Sequence, residues 1–185
     1  MLGGKDINLI IRQGDIRFSE PDIHYYDSDG QPHVSQLNAR EKVTLKAGNN
    51  IQLENVAVAK NTQLGLYAGR DIQLVRNESR LTHAPLGKLP ANYESRLKQV
   101  GGWESAGDIV ISAGNTLQIQ GLTFNAGQSV SLNSGQDINL SPRALNQDDD
   151  NAFRTQRRPE MRTQLLAGHN LTLNAARDIR MFNGT

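Results

Sequence analysis

Residues 47–58 read Ala47-Gly48-Asn49-Asn50-Ile51-Gln52-Leu53-Glu54-Asn55-Val56-Ala57-Val58, and residues 64–74 continue Leu64-Gly65-Leu66-Tyr67-Ala68-Gly69-Arg70-Asp71-Ile72-Gln73-Leu74. A phrase of the form small-Gly-x-polar-apolar-x-apolar stands at each end of this stretch. It recurs at residues 113–119, 126–132, 134–140 and 167–173. Counted from Ile51, apolar pairs begin at offsets 0, 5, 13 and 21 (Ile51, Val56, Leu64, Ile72), and the same offsets recur from Leu117 (Leu117, Leu122, Val130, Ile138), 66 residues further on. An apolar-x-apolar pair is the mark of a short strand with one buried face, and the Gly, Asn and Asp between pairs supply turns. Three such strands in every 21 residues predict an all-β parallel β-helix, each strand stacked on its counterpart one coil away. A lone coil cannot bury its own apolar face, so stability has to come from stacking.

The corner after the first strand is Glu54-Asn55 in one block and Gln120-Gly121 in the other. Asn or Gly at the second position predicts a left-handed backbone there. Where the period breaks, stepping back eight residues from Val43, Ile109 and Leu171 reaches Ser35-Gln36-Leu37, Gly101-Gly102-Trp103 and Thr163-Gln164-Leu165, each read as the second strand of a coil. The step from the preceding strands at Ile16, Ile72 and Ile138 has grown from five residues to 19, 29 and 25. Alternate coils therefore carry insertions at one corner, about residues 19–34, 75–100 and 141–162, expected to project from a single edge of the solenoid. Outward middle positions are mostly uncharged, among them Thr44, Gln52, Gln73, Gln118, Thr123, Ser131, Asn139 and Thr172. Like charges stacked about 4.8 Å apart would repel, whereas amides and hydroxyls can form ladders.

In a chain of 185 residues, 37% hydrophobic content, only 5% aromatics and 17 glycines suit narrow stacked coils better than a globular core, and residues 1–185 read as one elongated domain. Twenty basic against 19 acidic residues give a net charge of +1, which provides no global field for nucleic acid or an anionic membrane. No apolar run has transmembrane length, and no charged-then-apolar leader follows Met1. Cysteine is absent, which removes disulfides and thiolate chemistry. Repeats at both extremities, Gly4-Lys5-Asp6-Ile7-Asn8-Leu9 and Arg177-Asp178-Ile179-Arg180-Met181, suggest a fragment of a longer solenoid.

The phrases Ala68-Gly69-Arg70-Asp71-Ile72-Gln73-Leu74 and Ala167-Gly168-His169-Asn170-Leu171-Thr172-Leu173 resemble the repeats of filamentous haemagglutinin and the contact-dependent growth inhibition effectors, large exoproteins of two-partner secretion. The resemblance covers most of the chain outside the insertions. It implies a right-handed β-helical shaft, exported through an outer-membrane two-partner secretion transporter and displayed or released at the bacterial surface, with a virulence role. The family's secretion domain carries Asn-Pro-containing motifs near its start, and none occurs here, so the resemblance is to the shaft and not to the portion that engages the transporter.

Several residues invite chemistry. Asp71, Asp137 and Asp178 recur at one motif position, but Asn50, Thr116, Ser129 and Asn170 occupy the same place, and a general acid cannot be replaced by Thr. A turn or capping role is the expectation. The first insertion holds His24, Tyr25, Tyr26 and His33, and its Asp27-Ser28-Asp29-Gly30 has the start of a calcium loop without the closing Glu, so an acidic Gly turn is read there. In the second, Pro90 to Gln99 followed by Gly101-Gly102 fits a short helix whose Tyr93 and Leu97 share one face, read as packing on the shaft with a partner-binding role as the alternative, and with Trp103 at the base of the insertion. The third sets Asp148-Asp149-Asp150 against Arg154, Arg157, Arg158 and Arg162, the pattern of a solvated or disordered loop, with an anionic-glycan site as the alternative. His24, His33, His83 and His169 lack metal-ligand spacing, and no phosphate-binding loop, dinucleotide fingerprint, zinc-protease motif or serine elbow occurs.

No catalytic residue, cofactor-binding residue or metal ligand is therefore assigned. The expected function is a non-enzymatic shaft and adhesion segment of a secreted haemagglutinin-like exoprotein, presenting loops to a cell-surface receptor or glycan, with no nucleic-acid partner and no membrane span. The rivals are a toxin-delivery or receptor-binding region of a contact-dependent growth inhibition effector and a carbohydrate-active β-helix enzyme.

Overall fold

The computed structural model describes residues 2–19, 35–76, 102–142 and 163–182, so the expected short helix, the acidic Gly turn and the charge-segregated loop lie outside the described residues. Sixteen strands follow in chain order: β1 (Leu2–Ile11), β2 (Ile16–Phe18), β3 (Gln36–Ala47), β4 (Ile51–Glu54), β5 (Ala57–Val58), β6 (Gln63–Ala68), β7 (Ile72–Val75), β8 (Gly102–Ser105), β9 (Ile109–Ala113), β10 (Leu117–Gln120), β11 (Thr123–Ala126), β12 (Val130–Ser134), β13 (Ile138–Ser141), β14 (Gln164–Ala167), β15 (Leu171–Ala175) and β16 (Ile179–Met181). Every pairing between them is parallel, and the strands form three sheets wound in coil order. The chain is a parallel β-helix.

The apolar pairs stack as the spacing requires. In the six-stranded sheet Ile16, Ile51, Ile72, Leu117, Ile138 and Ile179 form one column. Ile7, Val43, Leu64, Ile109, Val130 and Leu171 form another in the seven-stranded sheet. Val43, Ile51, Leu64, Ile109, Leu117, Val130 and Ile138 are fully buried, so the core is the interior of the coil. The two 21-residue blocks are equivalent, with Ile51 paired to Ile72 and Leu117 to Ile138. The tight corners behave as expected: Asn55 has φ 52° and Gly121 φ 67°, and their N–H groups donate to Val75 O and Ser141 O, both at 3.1 Å.

The third face departs from the expected continuous stack. There β11 lies between β8 and β14, aligning Trp103, Phe124 and Leu165, while the two-residue β5 pairs only with the start of β3. An isolated bridge, Asn61 to Ser105, spans the seam between β5 and β8. Val58 to Asn61 is a step of three residues where Trp103 to Ser105 is a step of two, so one extra residue stands on the β5 side and the pairing lapses.

Trp103 closes this seam. Its ring packs 5.4 Å from that of Phe124 at 54°, and its Nε1–H donates to Val56 O at 3.0 Å, the bond that the interrupted ladder leaves to a side chain. Trp103→Phe keeps a ring but removes that donor, so the expected loss is about 1 kcal/mol, read as a lowered urea midpoint with unchanged slope.

Candidate functional surface

The aspartates of the repeat are built into the corners. Asp15 Oδ1 accepts from the backbone N–H of Asn50 (3.0 Å), Asn50 Oδ1 from Asp71 (3.1 Å), and Asp71 Oδ1 from Thr116 (3.0 Å). Asp137 does the same for Asp178 at 3.3 Å. Each side chain thus caps the N–H of its counterpart in the next coil, the role expected for Asp71 and Asp137, and neutral Asn50 serves as well as an acid. Asp6 and Asp108, beneath Lys42 (3.1 Å) and Ser129 (3.0 Å), repeat the device at another corner. Neither these nor Asp15 were singled out from sequence, although each directly precedes the first apolar residue of a pair, Ile7, Ile16 or Ile109. The N–H of Asn50 is the largest of the influences that hold Asp15 below its usual carboxylate range.

Asp137 is the buried acid of the set. Arg177 grips it with Nε at 3.1 Å from Oδ1 and Nη2 at 2.6 Å from Oδ2, and Arg180 Nη1 stands 3.6 Å from Oδ2. Hydrogen bonds from Arg177 are the first cause of the lowered pKa of Asp137, opposed by burial and helped by the charges of Arg177 and Arg180. Because the folded pKa lies below the ordinary 3.8, this carboxylate adds stability above that pH and loses it as the pH falls through the depressed value. Asp137→Asn is expected to lower the melting temperature at neutral pH, with the gap to the native chain closing in acid, as a pH series of thermal melts would read.

The corner after the six-stranded sheet carries the insertions. Phe18, Leu53, Leu74, Ile119, Leu140 and Met181 occupy one register position of that sheet, so the exits after Phe18, Leu74 and Leu140 lie on one line along the coil axis. They alternate with the tight corners at Asn55 and Gly121. The return after Leu140 is fastened at Thr163, whose Oγ1 accepts from Gly121 N at 3.0 Å and donates to Ser141 O at 2.5 Å. Beside the first two exits runs a groove of about 400 Å³ lined by Arg17, Phe18, Gln52, Glu54, Gln73 and Val75, among others.

His24, His33 and His83 lie outside the described residues, and the N–H of His169 makes an ordinary corner bond to Gln128 O at 2.7 Å. Among the described residues no cluster of three or more His, Cys, Asp or Glu is arranged to hold a metal, and no helix is long and apolar enough to cross a membrane. No family model, curated protein or solved structure matches the chain.

Proposed function

We propose that this chain is a non-enzymatic shaft segment of a secreted bacterial surface exoprotein, and that its insertions together form a lateral surface for contact with another cell. The observation that carries the reading is the alignment of the three exits on one register line of the six-stranded sheet. Segments leaving a rigid scaffold side by side are the usual place for binding residues, because loops tolerate variation that stacked strands do not. The non-enzymatic part is supported by the engagement of Asp71 and Asp137 as corner caps, which directs their carboxylate oxygens to backbone N–H groups. Export by a two-partner transporter and display at the cell surface rest on the resemblance of the repeat phrase.

The test is to give the third coil the corner of the fourth, replacing residues 75–100 by Gln-Gly after the pattern Gln120-Gly121. Binding of the labelled protein to target cells is expected to fall at least about tenfold, with the far-ultraviolet circular dichroism of the shaft unchanged. Full binding after all three insertions are shortened would remove the function from this edge.

A further inference from the structure

We infer that the outer face of the six-stranded sheet is a binding track for a neutral, linear, hydroxyl-rich polymer, that is, an extended glycan. Its outward row runs Arg17, Gln52, Gln73, Gln118, Asn139, Arg180, with each residue in register with the next. The coil spacing sets these side chains about 4.8 Å apart. Four consecutive primary amides stand in the middle of the row, each with two donors and an acceptor. A ladder of amide-to-amide bonds would use that capacity internally, but none forms: no hydrogen bond engages the side chains of Gln52, Gln73, Gln118 or Asn139 among the described residues. The row is therefore a regular, unspent set of donors and acceptors on the outer face, exposed at Gln52 and half-buried at Gln73, Gln118 and Asn139.

Three further features choose the ligand. The end arginines are already neutralised, Arg17 Nη2 lying 2.7 Å from Asp15 Oδ2 and Arg180 Nη2 2.6 Å from Asp178 Oδ2. Among the described residues of this row, therefore, neither cation is left without an acid to attract a sulfated or uronic chain. An extended, equatorially linked hexose chain repeats at close to the spacing of the strands, so its hydroxyls meet about one amide per sugar along the row. The seven-stranded sheet cannot do the same: its corresponding row, Asn8, Thr44, Gly65, Val110, Ser131, Thr172, is broken by Gly65 and Val110.

This track lies on the shaft and does not depend on the insertions, so the two readings fail separately. The test is titration calorimetry of the full chain with cellohexaose, and in parallel with a heparin hexasaccharide. Cellohexaose is expected to bind with an affinity that changes little over a tenfold rise in salt. The triple variant Gln52→Ala, Gln73→Ala, Gln118→Ala is expected to weaken it at least about tenfold, while Ser131→Ala with Thr172→Ala leaves it unchanged. Circular dichroism confirms that the variants fold, and Gln73→Ala alone, expected to weaken binding measurably, replaces the triple variant if that one does not. No heat with cellohexaose, unaltered binding by the folded amide variant, or preferred binding of heparin that collapses with salt would each overturn the proposal. Loss of cell binding on trimming the insertions, with cellohexaose binding retained, is the pattern expected if both readings hold.

Discussion

Ile72→Asp is expected to leave the chain without a stable shaft, while Gln73→Asp, one residue along the same strand, barely moves the melting temperature. Ile72 is 1% exposed and sits in the column between Ile51 and Leu117. A carboxylate there has apolar neighbours above and below, and the substitution also forfeits the packing of a buried isoleucine. The combined loss exceeds about 4 kcal/mol, close to the whole stability of a domain at the low end of the usual 5–15 kcal/mol. Gln73 faces outward between Gln52 and Gln118, and its amide gives up no hydrogen bond on replacement, so a cost within about 0.5 kcal/mol is expected. Thermal melts followed by circular dichroism compare the two variants directly. Equal melting temperatures would contradict the inward and outward faces assigned to β7.

The columns were legible in the sequence because a strand with one buried face writes its period into the chain, and stacking forces that period to repeat at a fixed offset. Asn55 and Gly121 were legible for a related reason: a two-residue corner leaves few backbone conformations, and the residue types betray the left-handed one. The seam between β5 and β8 was not. The extra residue between Val58 and Asn61 is offset by one fewer between Asn61 and Leu64, so the eight-residue step from Val56 to Leu64 matches that from Leu122 to Val130. Offsets measured between apolar pairs are blind to a bulge compensated within the same coil. Amides that could form a ladder stay unbonded to one another, because register places such side chains one above another without making them bond, and solvent competes for every donor. The insertions mark their own positions by interrupting the period, but having no period themselves they offered nothing to align.

Gly114→Ala tests the stack from the other side, through the backbone. A Cβ at Gly114 would lie 2.0 Å from the carbonyl oxygen of Gly69 and 2.7 Å from its carbon, and neither is the end of a flexible side chain. Gly114 does not have a positive φ, so in open space alanine would stabilise the fold by restricting the unfolded chain. The clash reverses that sign. How the corner responds is visible at Ala176, which takes the equivalent place above Gly135: its N–H reaches Ser134 O at 3.3 Å, where the glycines at 48, 69, 114 and 135 make the same bond at 2.8 to 3.0 Å. The bond of the next residue, Arg177 N–H to Gln136 O, stays at 2.8 Å, so the corner yields at that one residue and the coil itself is not raised. Gly114 is bonded below to Ala68 O and carries Gly135 above it, so even a local shift there would strain two interfaces at once. A loss of about 3 kcal/mol is expected, at the upper end for overpacking. Gly65→Ala is the control, since its Cβ meets the ring of Tyr67 at 2.8 Å, a partly exposed side chain free to swing outward. Urea midpoints should therefore fall well below the native value for Gly114→Ala and stay near it for Gly65→Ala. A Gly114→Ala protein as stable as the native chain would mean that the coils can move apart at this corner, and that the recurring glycine of the repeat is not there to let them approach.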